Sequence, residues 1–433
     1  MSGNFGFVPP SDDGSNNSEN EDGNPEDNPH FAEIFKQFSG MGLDIKSLIA
    51  SLSGSGTAAN LSRDVIRDIS RKTLSAHGEL PVGLTDLNQI HEAFTIADLW
   101  VDGATTFPSL GIPENCAMGR GEWIAASLTG WHELAKPLID GLSEGMANAI
   151  TTETNAAEMP IPGIGNIAGV MSTFMSSMIA TQLGQTIGNL ATTLTGANDV
   201  ALPLLKPART FLIPQNVAKW SDGLEIPEAE VRIFLALREI SAARLFANTP
   251  WLTQYLESTI TAYGKGIQID FSAIQEQAQE ALASGELDPA NPESISHALT
   301  SGMFTPGETQ AQSNALAKLE MVLALIEGWI DQVVVDAAGD RLPSLLKLRE
   351  TQTRRRATQS PTQQLFAALV GLEVSPRTAR ECATFWREIG ELKAENRDRL
   401  WEDAVLLPEQ KDLADPIKFL KSTIVPDDLS GLI

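Results

Sequence analysis

This chain of 433 residues has few cysteines and histidines, which often act as catalytic or metal-binding residues, and fewer basic than acidic residues. It has only two cysteines and five histidines, and its 31 Lys and Arg residues face 56 Asp and Glu, which gives a net charge of -25. Cys116 and Cys382 form no spacing motif, so we expect buried thiols in a reducing compartment. The acidic balance argues against nonspecific binding of nucleic acid or anionic membranes, because both favour basic surfaces.

The N-terminus lacks a charged segment followed by an apolar run, so no signal peptide is predicted and a cytoplasmic location is the default expectation. Residues 159–198 contain no charged residue at all, which raises the possibility of a membrane span. Their many Ser, Thr, Asn and Gln residues, the interruption at Pro162 and the lack of flanking basic residues favour a buried helix instead. The pairs Gly165/Gly169 and Gly184/Gly188 would let neighbouring helices approach closely.

Strand signals are also few, and only short segments such as 211–214 look β-like, so the predicted fold is mostly α. Residues 1–30 hold a low-complexity acidic tail that is predicted to be disordered. An N-terminal helical region over 31–158 and a helical core over 159–420 are expected to follow. Residues 421–433 would form a C-terminal tail.

The clearest local pattern is a helix over residues 228–247 within EIPEAEVRIFLALREISAARLFANTPWL. Pro227 favours its start, and its apolar residues recur at helical spacing. The segment Arg238-Glu239-Ile240-Ser241-Ala242 has the frame of the zinc-binding motif H-E-x-x-H, in which two histidines on one helix face bind zinc and the glutamate acts as general base. Here the glutamate is present, but Arg238 and Ala242 occupy both histidine positions.

The wider sequence resembles an actinobacterial family of zincin-like metallopeptidases, zinc-dependent hydrolases of helical fold. The similar stretches are LALREISAARLFANTPWL, LEMVLALIEGWIDQVV, RRRATQSPTQQLFAALVGLEVSPR and IADLWVDGATTFP, and the resemblance as a whole covers roughly residues 31–420. The resemblance implies a multi-helix zincin scaffold, zinc as the family cofactor and Glu239 as the catalytic base of an active member. In this chain the motif is degenerate, so no metal is assigned from the residues themselves.

A second long helix is predicted over Gln310–Ala338, with Glu320, Glu327 and Asp331 as an acidic stripe beside its apolar face. In a zincin with a glutamate third ligand, that ligand comes from a downstream helix, so the resemblance points to Glu327 or Asp331. A solvated acidic face is the alternative. We further expect Arg238 to point into the former metal cleft and pair with Glu327, Asp331 or Glu239.

The basic segment 341–361, which contains Arg354, Arg355 and Arg356, suits either an oxyanion site or a solvated turn, and the solvated turn is favoured. Two further His-Glu pairs, at His91 and His132, lack a second histidine at i+4, so ordinary helix-surface residues are predicted there.

Three functional hypotheses follow. The first is an inactive pseudopeptidase that acts by binding a protein or peptide partner. The second is an active metallohydrolase with Glu239 as general base and non-standard ligands. The third is a structural or interaction protein, which is compatible with the first.

Overall fold

The computed structural model describes residues 58–156, 177, 179–266, 284, 309–359, 361, 364 and 375–423. The helices described below belong to one of two compact units of the chain, formed by Gly56–Glu276 and Phe304–Ile433. The predicted acidic tail, the first part of the predicted N-terminal helical region up to residue 57, and most of 159–178 lie outside the described residues. The described helices are α1 (Ala58–His77), α2 (Leu84–Asp102), α3 (Arg120–Ala156), α4 (179–190), α5 (Pro214–Ser221), α6 (Glu228–Asn248), α7 (Pro250–Lys265), α8 (Gln310–Ala338), α9 (Leu345–Gln359), α10 (Pro376–Gly390), α11 (Ala394–Asp398) and α12 (Pro416–Thr423).

Helix α6 is buried on all sides over most of its length, from Phe234 to Phe246. It packs against α2 and α8 and also contacts α5, α7 and α9. A helix that is buried all round must pair every charge it carries. The fully buried Arg244 meets this need by contacting the carboxylates of Asp98 and Asp102 on α2, at 2.6 and 2.7 Å.

Helix α8 is the second central element, and it has the predicted bounds Gln310–Ala338. Its N-terminus is held by a capping box in which Thr309 and Gln312 satisfy each other's backbone N–H groups. Beyond α6, α8 packs mainly against α7 and α10. The mostly α fold predicted from the sequence is therefore confirmed for the described part of the chain.

The glycines of α4 permit a close approach to α1, as the small-residue spacing predicts. A Cβ atom on Gly184 would lie 2.8 Å from Cβ of Ile69, and one on Gly188 would lie 2.6 Å from Cβ of Thr73. The side chains of Leu183, Ile187 and Leu190 are buried, so this part of the uncharged segment belongs to the core. Among the helices that the structure describes, none has the length and apolarity needed to cross a membrane.

A non-helical segment, residues 191–213, lies between α4 and α5, and we call it the cover loop. Leu212 forms a parallel bridge with Ala117 and an antiparallel bridge with Gly196, so three short extended segments meet there. The β-like character predicted for 211–214 is thus limited to isolated bridges. The cover loop is also held by Asn216 of α5, whose amide donates to the carbonyls of Ala191 and Leu194.

One local prediction is wrong. The basic segment expected as a solvated turn forms helix α9 over Leu345–Gln359, and one of its arginines is largely buried. Packing against other elements decides this conformation, which composition alone does not reveal. Near the end of the described residues, the helix Pro416–Thr423 buries Leu420.

Candidate functional site

The two motif positions that would hold histidines lie on the face of α6 that borders α8. Arg238 is 7% exposed and Ala242 is 2% exposed. A small cavity of about 10 Å³ lies beside them, lined also by Leu235 and Ile330. That volume is about the smallest that admits a water molecule, so the space left by the short Ala242 side chain is nearly closed.

Arg238 fills this site with an ion pair. Its Nη2 atom lies 2.5 Å from Oε1 of Glu327 on α8, and the Arg238 side chain is only 8% exposed. Glu327 therefore stands opposite the first motif position, where the resemblance implies a third zinc ligand. Of the three carboxylates considered as partners from the sequence, it is the one that Arg238 contacts.

A second arginine, Arg356 of α9, extends the pair into a network. Its Nε atom lies 3.3 Å from Glu327 Oε1, and its Nη2 atom lies 2.6 Å from Oδ1 of Asp199 in the cover loop. The other Asp199 oxygen accepts hydrogen bonds from the backbone N–H and the hydroxyl of Thr195. Charges of opposite sign thus alternate from Arg238 through Glu327 and Arg356 to Asp199, and they connect three helices and one loop.

The network stabilises both carboxylates in their charged forms. Burial works to raise the pKa of Asp199, but Arg356, the Thr195 N–H group and Arg238 outweigh it, and the pKa falls below its ordinary value. Burial likewise opposes ionisation of Glu327, yet Arg238 and Arg356 hold its pKa below the ordinary value. At neutral pH, two cations and two anions therefore balance each other in this part of the site.

We expect these pairs to weaken in acid. Because the folded-state pKa values of Asp199 and Glu327 lie below their ordinary values of 3.8 and 4.5, the unfolded chain takes up protons first as the pH falls. The stability that these two carboxylates contribute is therefore complete at pH values above their ordinary pKa values. It is lost as the pH falls through their lower folded-state pKa values.

The measurement is the free energy of unfolding in urea for the unchanged chain and for Asp199→Asn, at about pH 6 and about pH 3.5. The difference between the two proteins should shrink on acidification. A difference that stays constant across this range would show that the Asp199 charge contributes no stability.

Glu239, the motif glutamate, points to the cover loop rather than to the arginines. Its oxygens accept hydrogen bonds from the backbone N–H groups of Ala197, Asn198 and Phe211 and from the Asn198 side-chain amide, at 2.9 to 3.4 Å. Burial raises the pKa of Glu239 to about 8; hydrogen bonds from Asn198 and Phe211 work to lower it, and the negative charge of Asp199 adds to the rise.

Other predicted candidates lie outside this arrangement. Asp331 forms a two-point pair with Arg349 of α9, with the shorter contact 2.6 Å, so it does not contact Arg238. His91 is exposed on α2, as predicted for an ordinary helix-surface residue. Of the arginine run, Arg354 pairs with Glu350, and Arg355 lies over the ring of Trp220, so neither is an open oxyanion site.

The residues around the motif do not fit zinc. Zinc requires three or four N, O or S ligands in tetrahedral geometry. A guanidinium does not deprotonate at neutral pH and cannot ligate, and alanine offers no donor atom. Oε1 of Glu327 and Oδ1 of Asp199 contact guanidinium groups, Oδ2 of Asp199 accepts from Thr195, and both Glu239 oxygens accept from N–H groups. Within the part of the chain that the structure describes, no three His, Cys, Asp or Glu side chains are grouped so that they could hold a metal ion.

Sequence reasoning did not identify Asp199 and Asn198 as site residues. Both lie in the segment TGAND, about 40 positions before the motif, and no periodic pattern connects that segment with α6. Arg356 was visible as part of a basic run, but its neighbours Arg354 and Arg355 share that run without entering the site. Only the packing of α9 on α6 and α8 distinguishes it from them.

Comparisons with known proteins give a family and a fold for the chain. A family model described as zincin-like metallopeptidase matches residues 62–420. A solved structure from Chloroflexus aurantiacus, described as a "putative hydrolase with a novel fold", aligns with 83% of this chain and 97% of its own, with a TM-score of 0.54 and 17% identity. At that identity the likeness concerns the fold alone. No significant match is found among curated proteins.

The family match covers most of the chain, including α6 with the motif positions and α8 with Glu327. The fold of the described residues is the mostly α scaffold that the resemblance implies. The chain therefore belongs to the zincin-like metallopeptidase family.

Proposed function

We propose that this chain is a non-catalytic member of its family, a pseudopeptidase that acts by binding a protein or peptide partner. The observation that carries the proposal is the ion pair of Arg238 with Glu327, at 2.5 Å, in the place where the motif would hold a metal. The net charge of -25 supports a protein or peptide partner over nucleic acid.

The charge balance explains why an arginine suits this position. In a zinc-binding member, the metal neutralises the carboxylates around it. Without a metal, the partly buried carboxylates of Glu327 and Asp199 would lack an opposite charge, which disfavours their charged forms. Arg238 and Arg356 supply two positive charges instead and hold both carboxylates in fixed positions. The two arginines thus supply the positive charge that the metal supplies in a zinc-binding member.

The alternative is an active hydrolase that uses Glu239 as general base. One observation favours it, since a buried glutamate with its pKa raised to about 8 has the protonation behaviour of many catalytic bases. Such a base must also reach a water molecule or substrate, and each Glu239 oxygen already accepts at least one N–H group. The geometry therefore favours the pseudopeptidase.

The decisive activity experiment measures hydrolysis of a mixed peptide library by the full chain, with zinc added and with a chelator. We expect no cleavage that the chelator abolishes. Cleavage that a chelator abolishes and added zinc restores would contradict the proposal, because it would require a working metal site.

A variant with Arg238→His and Ala242→His serves as the positive control. It places two imidazoles at i and i+4 and releases Glu327 from its pair with Arg238. We expect this variant to gain zinc that the unchanged chain does not hold, measured as zinc per chain after gel filtration. Retention of zinc by both proteins in equal amounts would show that Arg238 and Ala242 do not determine metal binding.

A further inference from the structure

Four N–H groups donate to the carboxylate of Glu239. They favour its ionised, acceptor-only form and so oppose the burial that raises its pKa to about 8. Oε1 accepts from Ala197 N at 3.0 Å, from Asn198 Nδ2 at 2.9 Å and, more weakly, from Phe211 N at 3.4 Å, while Oε2 accepts from Asn198 N at 3.0 Å. All four donors belong to the cover loop, and Glu239 is only 4% exposed.

The cover loop has the shape that these contacts require. Gly196 lies directly against the carboxylate, because a Cβ atom built there would be 2.5 Å from Oε2 of Glu239 and 2.9 Å from the carbonyl oxygen of Phe211. Any larger residue would displace either the carboxylate or the loop. The two ends of the loop are also bonded together, since Ile213 N donates to Thr195 O at 2.9 Å.

Backbone N–H groups in a buried loop need acceptors, and the loop itself does not supply all of them. Asn198 N and Phe211 N donate to Glu239, and among the described residues neither group has another acceptor. An unsatisfied buried N–H group carries a large desolvation cost. Glu239 of α6 therefore supplies the hydrogen-bond acceptors that these N–H groups of the cover loop would otherwise lack.

From this geometry we infer that Glu239 is a positioning residue, whose carboxylate fixes the cover loop across α6. This role goes beyond the proposed function, because it gives a structural role to Glu239, the one motif residue that this chain retains. The same carboxylate borders the small cavity beside Arg238 and Ala242, together with Thr195 and Asn198 of the cover loop.

The test is hydrogen exchange of the full chain with Glu239→Gln, read in peptides that cover 195–199 and 209–213. The amide side chain keeps the size of the carboxylate but replaces one acceptor oxygen by a donor, which would face an N–H group of the loop. We expect the Asn198 and Phe211 amides to exchange about tenfold faster or more, as the loss of a buried hydrogen bond implies.

The matched control is Glu228→Gln on the same helix. Glu228 is 74% exposed and, within the described part of the chain, forms an ion pair only with Arg232, so its replacement should leave exchange in the cover loop unchanged. Unchanged exchange of the Asn198 and Phe211 amides in Glu239→Gln would overturn the inference. It would show that the cover loop does not depend on the Glu239 carboxylate.

A second measurement covers the case in which Glu239→Gln does not fold. In the unchanged chain, the Asn198 and Phe211 amides should exchange at least tenfold more slowly than those of an unstructured peptide of the same sequence. Free exchange at these two amides would overturn the inference without any variant. Loss of folding in Glu239→Gln, together with this protection, would support it.

Discussion

The Arg238→Ala variant should lose about 3 kcal/mol of its free energy of unfolding, since removing one partner of a buried pair costs about 3–5 kcal/mol. The Arg238 side chain is 8% exposed, and its loss leaves Glu327, whose side chain is 29% exposed, without its shortest contact. We expect the lower end of that range because Arg356 still contacts Glu327, at 3.3 Å. Urea unfolding at neutral pH measures the effect.

The same helix provides the control, Arg232→Ala. Arg232 pairs with Glu228, whose side chain is 74% exposed, so its loss should cost about 0–1 kcal/mol. A cycle with Glu327→Gln isolates the coupling between Arg238 and Glu327. If Arg238→Ala costs no more than Arg232→Ala, Arg238 is a hydrated surface residue and its proposed role in replacing the metal is wrong.

The Asp398→Ala variant should be destabilised at least as much, by about 3–5 kcal/mol. Asp398 is 1% exposed and pairs with the fully buried Arg397 at 2.9 Å. It also accepts hydrogen bonds from Trp329 Nε1 on α8, from the Thr105 hydroxyl and from both the N–H and the hydroxyl of Thr106. Its removal would leave these donors without their acceptor and Arg397 with Asp336 as its remaining carboxylate.

This second prediction bears on the site because Trp329 lies two positions after Glu327 on α8. The control is Asp403→Ala, since Asp403 is exposed and caps a single N–H group, that of Val405. Its loss should cost about 1 kcal/mol or less. Equal urea midpoints for Asp398→Ala and the unchanged chain would show that the buried network does not hold α8 in place.

The long helices could be predicted from the sequence because their signals are local. The capping residues Thr309 and Gln312 and the apolar spacing that follows determine α8, and its predicted bounds are those observed. The Glu327 position was likewise readable from helix spacing and from the resemblance. Its choice over Asp331 required the structure, in which Asp331 turns to Arg349.

The rest of the site depends on contacts between segments distant in sequence, which a single sequence does not encode as a pattern. Asp199 and Arg356 meet across a separation of 157 positions, and Asn198 reaches Glu239 across 41. Arg356 also shows why composition misleads, since a basic run normally lies in solvent. Here the burial of one arginine is offset by two carboxylates, Asp199 and Glu327.

Together these contacts describe how a zincin scaffold is maintained without its histidines. Arg238 and Arg356 balance the carboxylates that remain, and the motif glutamate accepts four hydrogen bonds from the cover loop. A cavity of about 10 Å³ lies beside the two motif positions Arg238 and Ala242.

The most direct test of this account is the zinc content of the full chain, purified without a histidine tag. The protein would be incubated with excess zinc, dialysed against a weak chelator and analysed by inductively coupled plasma mass spectrometry. Closed protein zinc sites resist such treatment. The account predicts far less than one zinc per chain, whereas about one zinc per chain after dialysis would contradict it.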